Sequence, residues 1–339
     1  MTAFPRDREE EVSGRMIELA RQIHDDAIVI DAACPGEYWR THRDEWVAGG
    51  ATACALTVGW PGPAREAIYD IADALRIARE TSALRIATSV ADVRQAKVAG
   101  ELAVILHFQG AEPAEYEPAL LEVYWRMGVR IVQLAYNRRN PLCDGCEEPR
   151  DAGLSLLGKG MIAEMNRLGI LVDVSHTGVR SSLEAIEASS APCIASHSNA
   201  ASVHPNRRNL PDELIKAIAG SGGVIGVVGF PSFVAPMDRP TLDQLIDHIV
   251  HIDTLVGPGH VGLGLDYYEG TRAEYDAALA SGFWSADNYS PPPYHYPAGL
   301  ERPSGLPALT LRLLERGYEE EGIRGVLGEN WLRVYDQVW

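Results

Sequence analysis

Two histidines follow neighbouring apolar runs of the sequence in nearly the same context. His176 ends the run ILVDVSH and His197 ends the run PCIASH, so each follows a serine at the end of a candidate strand. If the two runs are adjacent parallel strands, both imidazoles reach the same edge of a sheet. Neutral imidazole is the commonest metal ligand and also serves as a general acid or base. The pair therefore predicts half of a metal site or an acid–base pair, and hydrogen bonding to a loop is the alternative for each histidine alone.

Further polar side chains stand at the ends of other candidate strands. Asp266 ends HVGLGLD and could serve as a metal ligand or as a general base toward water. Gln109 follows LAVILHF, and strand alternation puts His107 on the same face, one layer deeper. A deep histidine is more often a hydrogen-bonded core residue than a ligand, so His107 is a reserve candidate.

The elements that must position these residues alternate between short β-branched runs and stretches of helical periodicity. Eight such runs separated by helices predict a parallel sheet covered by helices. With 339 residues, the count favours a closed (β/α)8 TIM barrel over an open doubly wound sheet, and no G-x-G-x-x-G follows the first strand. The candidate strands are 27–31, 53–58, 102–108, 129–134, 170–174, 192–195, 223–228 and 260–265. Barrel enzymes carry their sites at the carboxyl ends of strands, where the polar residues above stand.

We expect one barrel domain over residues 1–339 that begins with a helix at 1–24. The stretch 267–305 lacks clear periodicity and contains several aromatic residues around three consecutive prolines. Because it follows the last strand, it is predicted to cap the mouth of the barrel as a specificity loop, and a dimer contact is the alternative.

The charge balance limits the partners. The chain has 30 Lys+Arg and 47 Asp+Glu, a net charge of −17, so nucleic acid and anionic membranes are excluded as partners. Its three lysines lie away from the candidate strand ends, which excludes an amine nucleophile or a modified lysine at the barrel mouth. No run of about 18 apolar residues could span a bilayer. An odd cysteine count, five, without an apolar leader favours the cytoplasm.

Several segments resemble the renal or membrane dipeptidase family, metallopeptidases of the amidohydrolase superfamily. They are GVRIVQLAYN, GLSLLGKGMIAEMNRLGILVDVSH, APCIASHSNA, RRNLPDELIKAIAGSGGVIGV, HVGLGLD and GIRGVLGENWLRV, and the resemblance spans residues 100–339 and, more weakly, 25–60. It implies a (β/α)8 barrel, usually a homodimer, whose two-zinc site hydrolyses dipeptides with a free C-terminal carboxylate. It also implies that His176 and His197 bind one zinc, that Asp266 lies near the bridging water, and that Arg208 binds the substrate carboxylate.

The sequence departs from the family pattern at the other zinc. The family motif D-G-H-x-D reads DAACP at residues 31–35, which lacks both ligands. Gln109 stands in place of a bridging glutamate, and Tyr136, next to Asn137, stands in place of a substrate-facing histidine. Two nearby divalent ions need bridging anions to offset their repulsion, so a two-metal site is not expected. The possible replacement ligands are His107, Asp31 and Cys34.

We therefore expect a dipeptidase-like hydrolase, with at most one zinc ion, that cleaves dipeptides or similar small amides bearing a carboxylate. The expected metal ligands are His176, His197, Gln109 and Asp266, and the expected substrate contacts are Arg208, Tyr136 and Asn137. Three alternatives stay open: a metal-free site in which the two histidines act as acid and base, a lyase or hydrolase of a small non-peptide acid, and a barrel that binds a ligand without catalysis.

Overall fold

Buried apolar runs of the sequence form one parallel sheet. The computed structural model describes residues 5–236 and 239–339. The strands in these residues are β1 (Ile30–Cys34), β2 (Ala53–Gly59), β3 (Leu84–Ile86), β4 (Leu102–Phe108), β5 (Val129–Gln133), β6 (Leu171–Asp173), β7 (Cys193–Ile194), β8 (Ile225–Val227) and β9 (Val261–Leu263). Eight of them follow the order β7-β6-β5-β4-β2-β1-β9-β8, and a parallel bridge between Ala195 and Ile225 closes the ring. The predicted (β/α)8 barrel is confirmed.

Helices cover the outer face of this barrel. Those in the described residues are α1 (Pro5–Asp26), α2 (Gly36–Ala48), α3 (Ala64–Glu80), α4 (Val90–Ala99), α5 (Pro118–Arg126), α6 (Leu156–Leu168), α7 (Val179–Ala188), α8 (Asp212–Gly220), α9 (Pro231–Val234), α10 (Leu242–Val256), α11 (Arg272–Ala280), α12 (Leu306–Glu315), α13 (Glu320–Arg324) and α14 (Asn330–Val338). Ser89, Thr241 and Thr271 begin three of them with reciprocal capping boxes, which satisfy free N–H groups of the first turn. Across the described part of the chain, no helix has the length and apolar character needed to cross a bilayer.

Most predicted strand ends agree with the structure to within two residues, and two strands differ by more. β1 begins and ends three residues later than 27–31, so Asp31 lies inside the strand. The buried strand can contain this aspartate because its carboxyl accepts hydrogen bonds from Trp46 Nε1 at 2.9 Å and from the backbone N–H of Leu265 at 2.8 Å. β3 is an additional strand that pairs only with the first half of β4, starting at Leu84 and Leu102. Three residues are too few for periodicity to reveal.

The amino-terminal end of the barrel is filled by α14. Trp331 is fully buried and donates from Nε1 to the carbonyl of Leu263 at 3.1 Å. A Cβ at Gly262 would collide with this indole ring, so glycine on β9 allows the close approach of the helix. The apolar plug leaves the carboxyl-terminal end of the barrel for the polar residues.

Two regions outside the strands bear on the predicted organisation. α1 covers 5–26, and residues 1–4 of the predicted amino-terminal helix lie outside the described residues. The stretch 267–305 follows β9 and contains α11 and a short 3-10 turn, Pro303–Gly305. Tyr275 is the one buried residue of α11, and a single buried position in nine residues leaves no periodicity for the sequence to show.

Candidate active site

The imidazoles of His176 and His197 meet at the carboxyl-terminal end of the barrel. His176 follows β6 and His197 follows β7, and these strands are neighbours in the sheet. Both side chains are buried, and their Nε2 atoms are 2.8 Å apart. The structure therefore brings together the two residues that the sequence singled out.

The carboxylate of Asp173, at the end of β6, fixes the two turns that carry His176 and His197. Oδ1 of Asp173 accepts hydrogen bonds from the backbone N–H groups of Ser175 at 2.9 Å and of Ser196 at 3.0 Å, and Oδ2 accepts one from the Ser196 hydroxyl at 2.5 Å. Burial alone would raise the pKa of Asp173, but its contacts with His107, His197 and Ser196 hold that pKa well below the usual range. An ionised carboxylate thus links two consecutive βα turns and sets the spacing of the histidines that follow.

Hydrogen bonds at Nδ1 define where each imidazole carries its proton. The Ser196 hydroxyl donates its hydrogen bond to the carboxylate of Asp173, so its oxygen accepts from Nδ1 of His197 at 2.6 Å. Asn137 donates through Nδ2 to the carbonyl of Phe283 at 2.7 Å, so its Oδ1 accepts from Nδ1 of His176 at 2.7 Å. Both Nδ1 atoms are donors, and a neutral ring then has its lone pair at Nε2.

The two Nε2 lone pairs consequently face each other. Burial lowers the pKa of His176 and of His197 well below the usual value, and the charge of Arg208 lowers both further, so both rings are neutral. Two lone pairs 2.8 Å apart repel, and a cation that both nitrogen atoms bind would remove that repulsion. Histidines that bind metals almost always donate their other N–H in this manner. The arrangement suits one cation held between two imidazoles.

Asp266 reaches the same mouth from the end of β9. Its backbone N–H donates to the carbonyl of Ala33 at 3.0 Å, and its own carbonyl accepts from the hydroxyl of Tyr296 at 2.6 Å. Burial raises the pKa of its carboxyl to about 7, although Arg208 and the Gln109 amide oppose that rise. Nε2 of Gln109, close to this carboxyl, makes no hydrogen bond with the described residues. A carboxyl that titrates near neutrality is suited to general base catalysis.

Arg208 is a buried guanidinium that no carboxylate of the described residues pairs with. One terminal nitrogen donates to the carbonyl of His197 at 2.9 Å, the other is 3.5 Å from Oγ of Ser198, and Nε has no partner. The ring of Phe233 lies under the guanidinium, 5.3 Å from ring centroid to Cζ. Buried charges are normally paired, so this group suits an anion supplied by a ligand.

A cavity of about 550 Å³ opens at the mouth of the barrel and is lined by Tyr136, His176 and Asp266. The Tyr136 ring stacks on the imidazole of His176 with centroids 4.0 Å apart. Most of the other large side chains that line the cavity are aromatic: Trp60, Tyr69, Phe230, Phe233, Tyr268, Phe283, Trp284 and Tyr289. Four of these eight belong to the stretch 267–305.

Three polar residues of this mouth have left-handed backbone conformations. The φ angles are 60° at Asn137, 61° at His176 and 54° at Asp266. Among the described non-glycine residues, only Glu115 and Tyr116 share this conformation. Each such residue costs on the order of 1–3 kcal/mol, and such strain clusters at functional sites. Its concentration at three strand ends supports a functional site here.

Comparison with known proteins assigns the family. A sequence model of the membrane dipeptidase family, peptidase family M19, matches residues 43–277 and 293–339. The chain belongs to this family. It is 33% identical over 258 residues to the dipeptidase aclJ of Aspergillus oryzae, covering 74% of this chain and 56% of that protein. It is 30% identical over 264 residues to the dipeptidase verJ of Clonostachys rogersoniana, covering 77% and 62%. The chain thus spans about three fifths of the length of these curated relatives.

Solved structures share the fold of this M19 chain. An amidohydrolase from Pseudomonas aeruginosa superposes with a TM-score of 0.89 at 33% identity, covering 94% of this chain and 99% of that one. A metallo peptidase from Rhodobacter sphaeroides, liganded with a phosphinate mimic of the dipeptide L-Ala-D-Ala, superposes with a TM-score of 0.78 at 22% identity, covering 93% and 100%. At that identity the second likeness shows the fold alone.

The donor set of this M19 chain fits one cation and does not fit a bridged pair. The positions that the resemblance assigns to the first zinc hold Ala33 and Pro35, whose side chains have no ligand atom, and Gln109 supplies a neutral amide in place of a carboxylate. No three His, Cys, Asp or Glu side chains within 5–236 and 239–339 converge as a metal site. The two imidazoles supply two ligands for a single ion, and a third has to come from Asp266, Gln109 or the substrate.

Two of the predicted replacement ligands do not reach the histidines. The carboxyl of Asp31 is occupied by Trp46, Leu265 and a contact to the N–H of Ala33, and burial raises its pKa to about 6. The thiol of Cys34 is buried beside Cys54, which raises its pKa well above the usual value. Neither side chain lines the cavity. The strict alternation assumed for this strand fails because the β1–β2 register shifts between residues 31 and 34.

Two further predicted residues have different surroundings from those expected. His107 is fully buried, with Nε2 3.3 Å from Oδ2 of Asp173, and neither ring nitrogen makes a hydrogen bond with the described residues. It therefore lies beside the carboxylate that orients His197. Asn137 is also fully buried, and its amide is used by His176, by the Phe283 carbonyl and by the hydroxyl of Tyr289. Asn137 therefore contacts His176, Phe283 and Tyr289, and its contact with substrate stays a prediction.

Sequence reasoning missed Asp173 and Ser196, which orient the histidines, and Trp60, which lines the cavity. The signal for Asp173 lay in the run ILVDVSH, because an aspartate inside a buried strand needs hydrogen-bond donors. Ser196 lay directly before His197 in the repeated Ser-His pattern. Nothing in the sequence around Trp60 distinguished it from other tryptophans.

Proposed function

We propose that the chain hydrolyses the amide bond of a dipeptide, or of a similar small amide with a free carboxylate. Membership of the M19 family supports this class of reaction. The observation that carries the proposal is the pair of facing Nε2 atoms of His176 and His197, 2.8 Å apart, with Asp266 at the same mouth.

The two imidazoles would hold one divalent ion, and zinc suits nitrogen ligands of this kind. When bound, such an ion polarises a carbonyl oxygen and lowers the pKa of water. Asn137 and Ser196 keep the Nδ1 protons in place, so that both Nε2 lone pairs stay available. Gln109 lies near Asp266 and could add an amide oxygen.

Asp266 is the proposed general base. Its carboxylate would take a proton from the attacking water as the C–O bond forms, and would return that proton to the amine nitrogen as the C–N bond breaks. Arg208 would bind the substrate carboxylate through its unpaired Nε and one terminal nitrogen. The ring of Tyr136, packed on His176, would keep bulk water away from the imidazoles.

A homodimer in the cytoplasm is part of the same proposal. Light scattering after size-exclusion chromatography measures the oligomeric state. A monomer at assay concentration would refute the homodimer and would not bear on the proposed reaction.

Purified full-length chain assayed on dipeptides and N-acyl amino acids tests the reaction. We expect hydrolysis that EDTA abolishes and that zinc restores, and we expect His176→Ala to lose it. No bound metal together with no EDTA-sensitive hydrolysis across the panel contradicts the proposal. EDTA-resistant turnover of a non-peptide acid would favour the lyase alternative.

A further inference from the structure

Aromatic rings form a connected wall of the cavity. Trp60 packs on Tyr136 with centroids 4.9 Å apart, and Trp284 donates from Nε1 to the Tyr136 hydroxyl at 3.3 Å. Trp284 in turn stacks on Tyr289 at 4.6 Å with nearly parallel planes, and Tyr268 meets its edge at 5.8 Å. A flat apolar group that enters this space meets ring faces and edges, the contacts that aromatic groups prefer.

Apart from Asp266, the charged side chains that line the cavity come from the two helices that follow β1 and β2. Glu37 and Arg40 come from α2, and Glu66 and Asp70 from α3. All but Asp70 are exposed, and Arg40 pairs with Asp70 at 2.5 Å. None of these four residues is part of the aromatic wall, but Trp60 directly precedes α3, so the end of the wall at Trp60 borders them.

The barrel order separates the two ends of a substrate. Arg208 contacts His197 after β7, and Trp60 follows β2. In the ring β7-β6-β5-β4-β2-β1-β9-β8, strands β7 and β2 are four positions apart, which is the opposite side of an eight-stranded barrel. Arg208 is 2% exposed and lies behind the lining of the cavity, and a substrate whose carboxylate reached it would extend its acyl side across the mouth toward Trp60.

We propose that the acyl side of the preferred substrate carries an aromatic or similarly flat apolar side chain, bound against Trp60, Tyr136 and Trp284. This inference rests on the proposed function, and it names the substrate class of the same site. The cavity of about 550 Å³ lies within the range that holds drug-sized ligands, which leaves room for a ring beside the amide. Trp60 is the residue whose loss changes selectivity most cleanly, because it is 39% exposed and its indole can be removed without opening the core.

Two phosphinate dipeptide analogues test the inference. They differ only in the acyl-side group, benzyl in one and methyl in the other, and are titrated into the metal-loaded full chain by calorimetry. We expect the benzyl analogue to bind at least about tenfold more tightly. Trp60→Leu should reduce this preference to about threefold or less, whereas Trp125→Leu, a partly buried tryptophan of α5 outside the cavity, should keep it.

Hydrolysis of Phe-Ala and Ala-Ala under the same conditions separates this inference from the proposed function. Equal analogue affinities, equal kcat/KM for both dipeptides, or a preference that survives Trp60→Leu would each overturn the inference while amide hydrolysis stands. A preference for the benzyl analogue without hydrolysis of any dipeptide would refute the proposed reaction and support the inference. Failure of both analogues to bind would refute both.

Discussion

Ser196→Ala removes the hydroxyl that connects the buried carboxylate of Asp173 to the imidazole of His197. The hydroxyl donates to the carboxylate at 2.5 Å and accepts from Nδ1 at 2.6 Å. Without it, Nδ1 of a fully buried ring has no acceptor, and the proton can move to Nε2. A protonated Nε2 cannot bind a metal ion, so the variant weakens the proposed cation site through the tautomer of one ring.

The magnitude follows from the type of bond. Hydrogen bonds in a charged network contribute about 1.5–3 kcal/mol, and about 1.4 kcal/mol corresponds to a tenfold change in an equilibrium constant. We therefore expect zinc affinity to fall about 10- to 100-fold, the range typical of residues that orient metal ligands. The free energy of unfolding should fall by a similar amount, because Asp173 loses one of its donors.

Competition with a chromogenic chelator measures zinc affinity, and urea unfolding measures stability. Ser182→Ala is a matched control, since Ser182 is fully buried and its hydroxyl has no partner in the described chain. That control should bind zinc like the wild type. If Ser196→Ala also binds zinc like the wild type, the argument that Ser196 fixes the proton at Nδ1 is wrong.

Three further changes test other parts of the site. Arg208→Met should raise KM for dipeptides about 10- to 100-fold and abolish the preference over dipeptide amides, because it removes the charged partner of the carboxylate; steady-state kinetics that retain this preference would count against the assignment. Wild-type kcat/KM should rise with pH up to about 7, the raised pKa of Asp266, because only its ionised form accepts a proton; Asp266→Asn should flatten this profile and slow turnover about 10²- to 10⁴-fold, and an unchanged profile would exclude the base role. Since the folded pKa of Asp173 is depressed, its contribution to stability is present above pH of about 4 and is lost as the pH falls below that value; urea unfolding at pH 5 and 3 should therefore show a smaller acid loss in Asp173→Asn than in the wild type, and equal losses would contradict the assignment.

Much of the fold could be predicted because strands that are buried on both faces appear in the sequence as continuous apolar runs. The run LAVILHF at β4 is apolar throughout and matches its strand residue for residue. Strand boundaries were harder to predict where a buried polar residue is hydrogen-bonded by a residue distant in the sequence, as Asp31 is by Trp46. The three-residue β3 follows from pairing with β4, a long-range contact that local periodicity does not encode.

The residues of the candidate site also differ in whether the sequence could predict their positions. His176, His197 and Asp266 could be predicted because a strand end fixes their place on the barrel. Cys34 and Asp31 could not, because a register shift between them breaks alternation. The role of Asn137 depends on the stretch 267–305, whose Phe283 carbonyl orients its amide from far along the chain.

Above all, we propose that His176 and His197 bind one metal ion. Elemental analysis of the zinc-reconstituted full chain, repeated on His176→Ala and His197→Ala with circular dichroism to check folding, tests it most directly. We expect one ion per chain in the wild type and loss of that ion in both folded variants. Two ions per chain, or an ion that stays bound after either substitution, would contradict it.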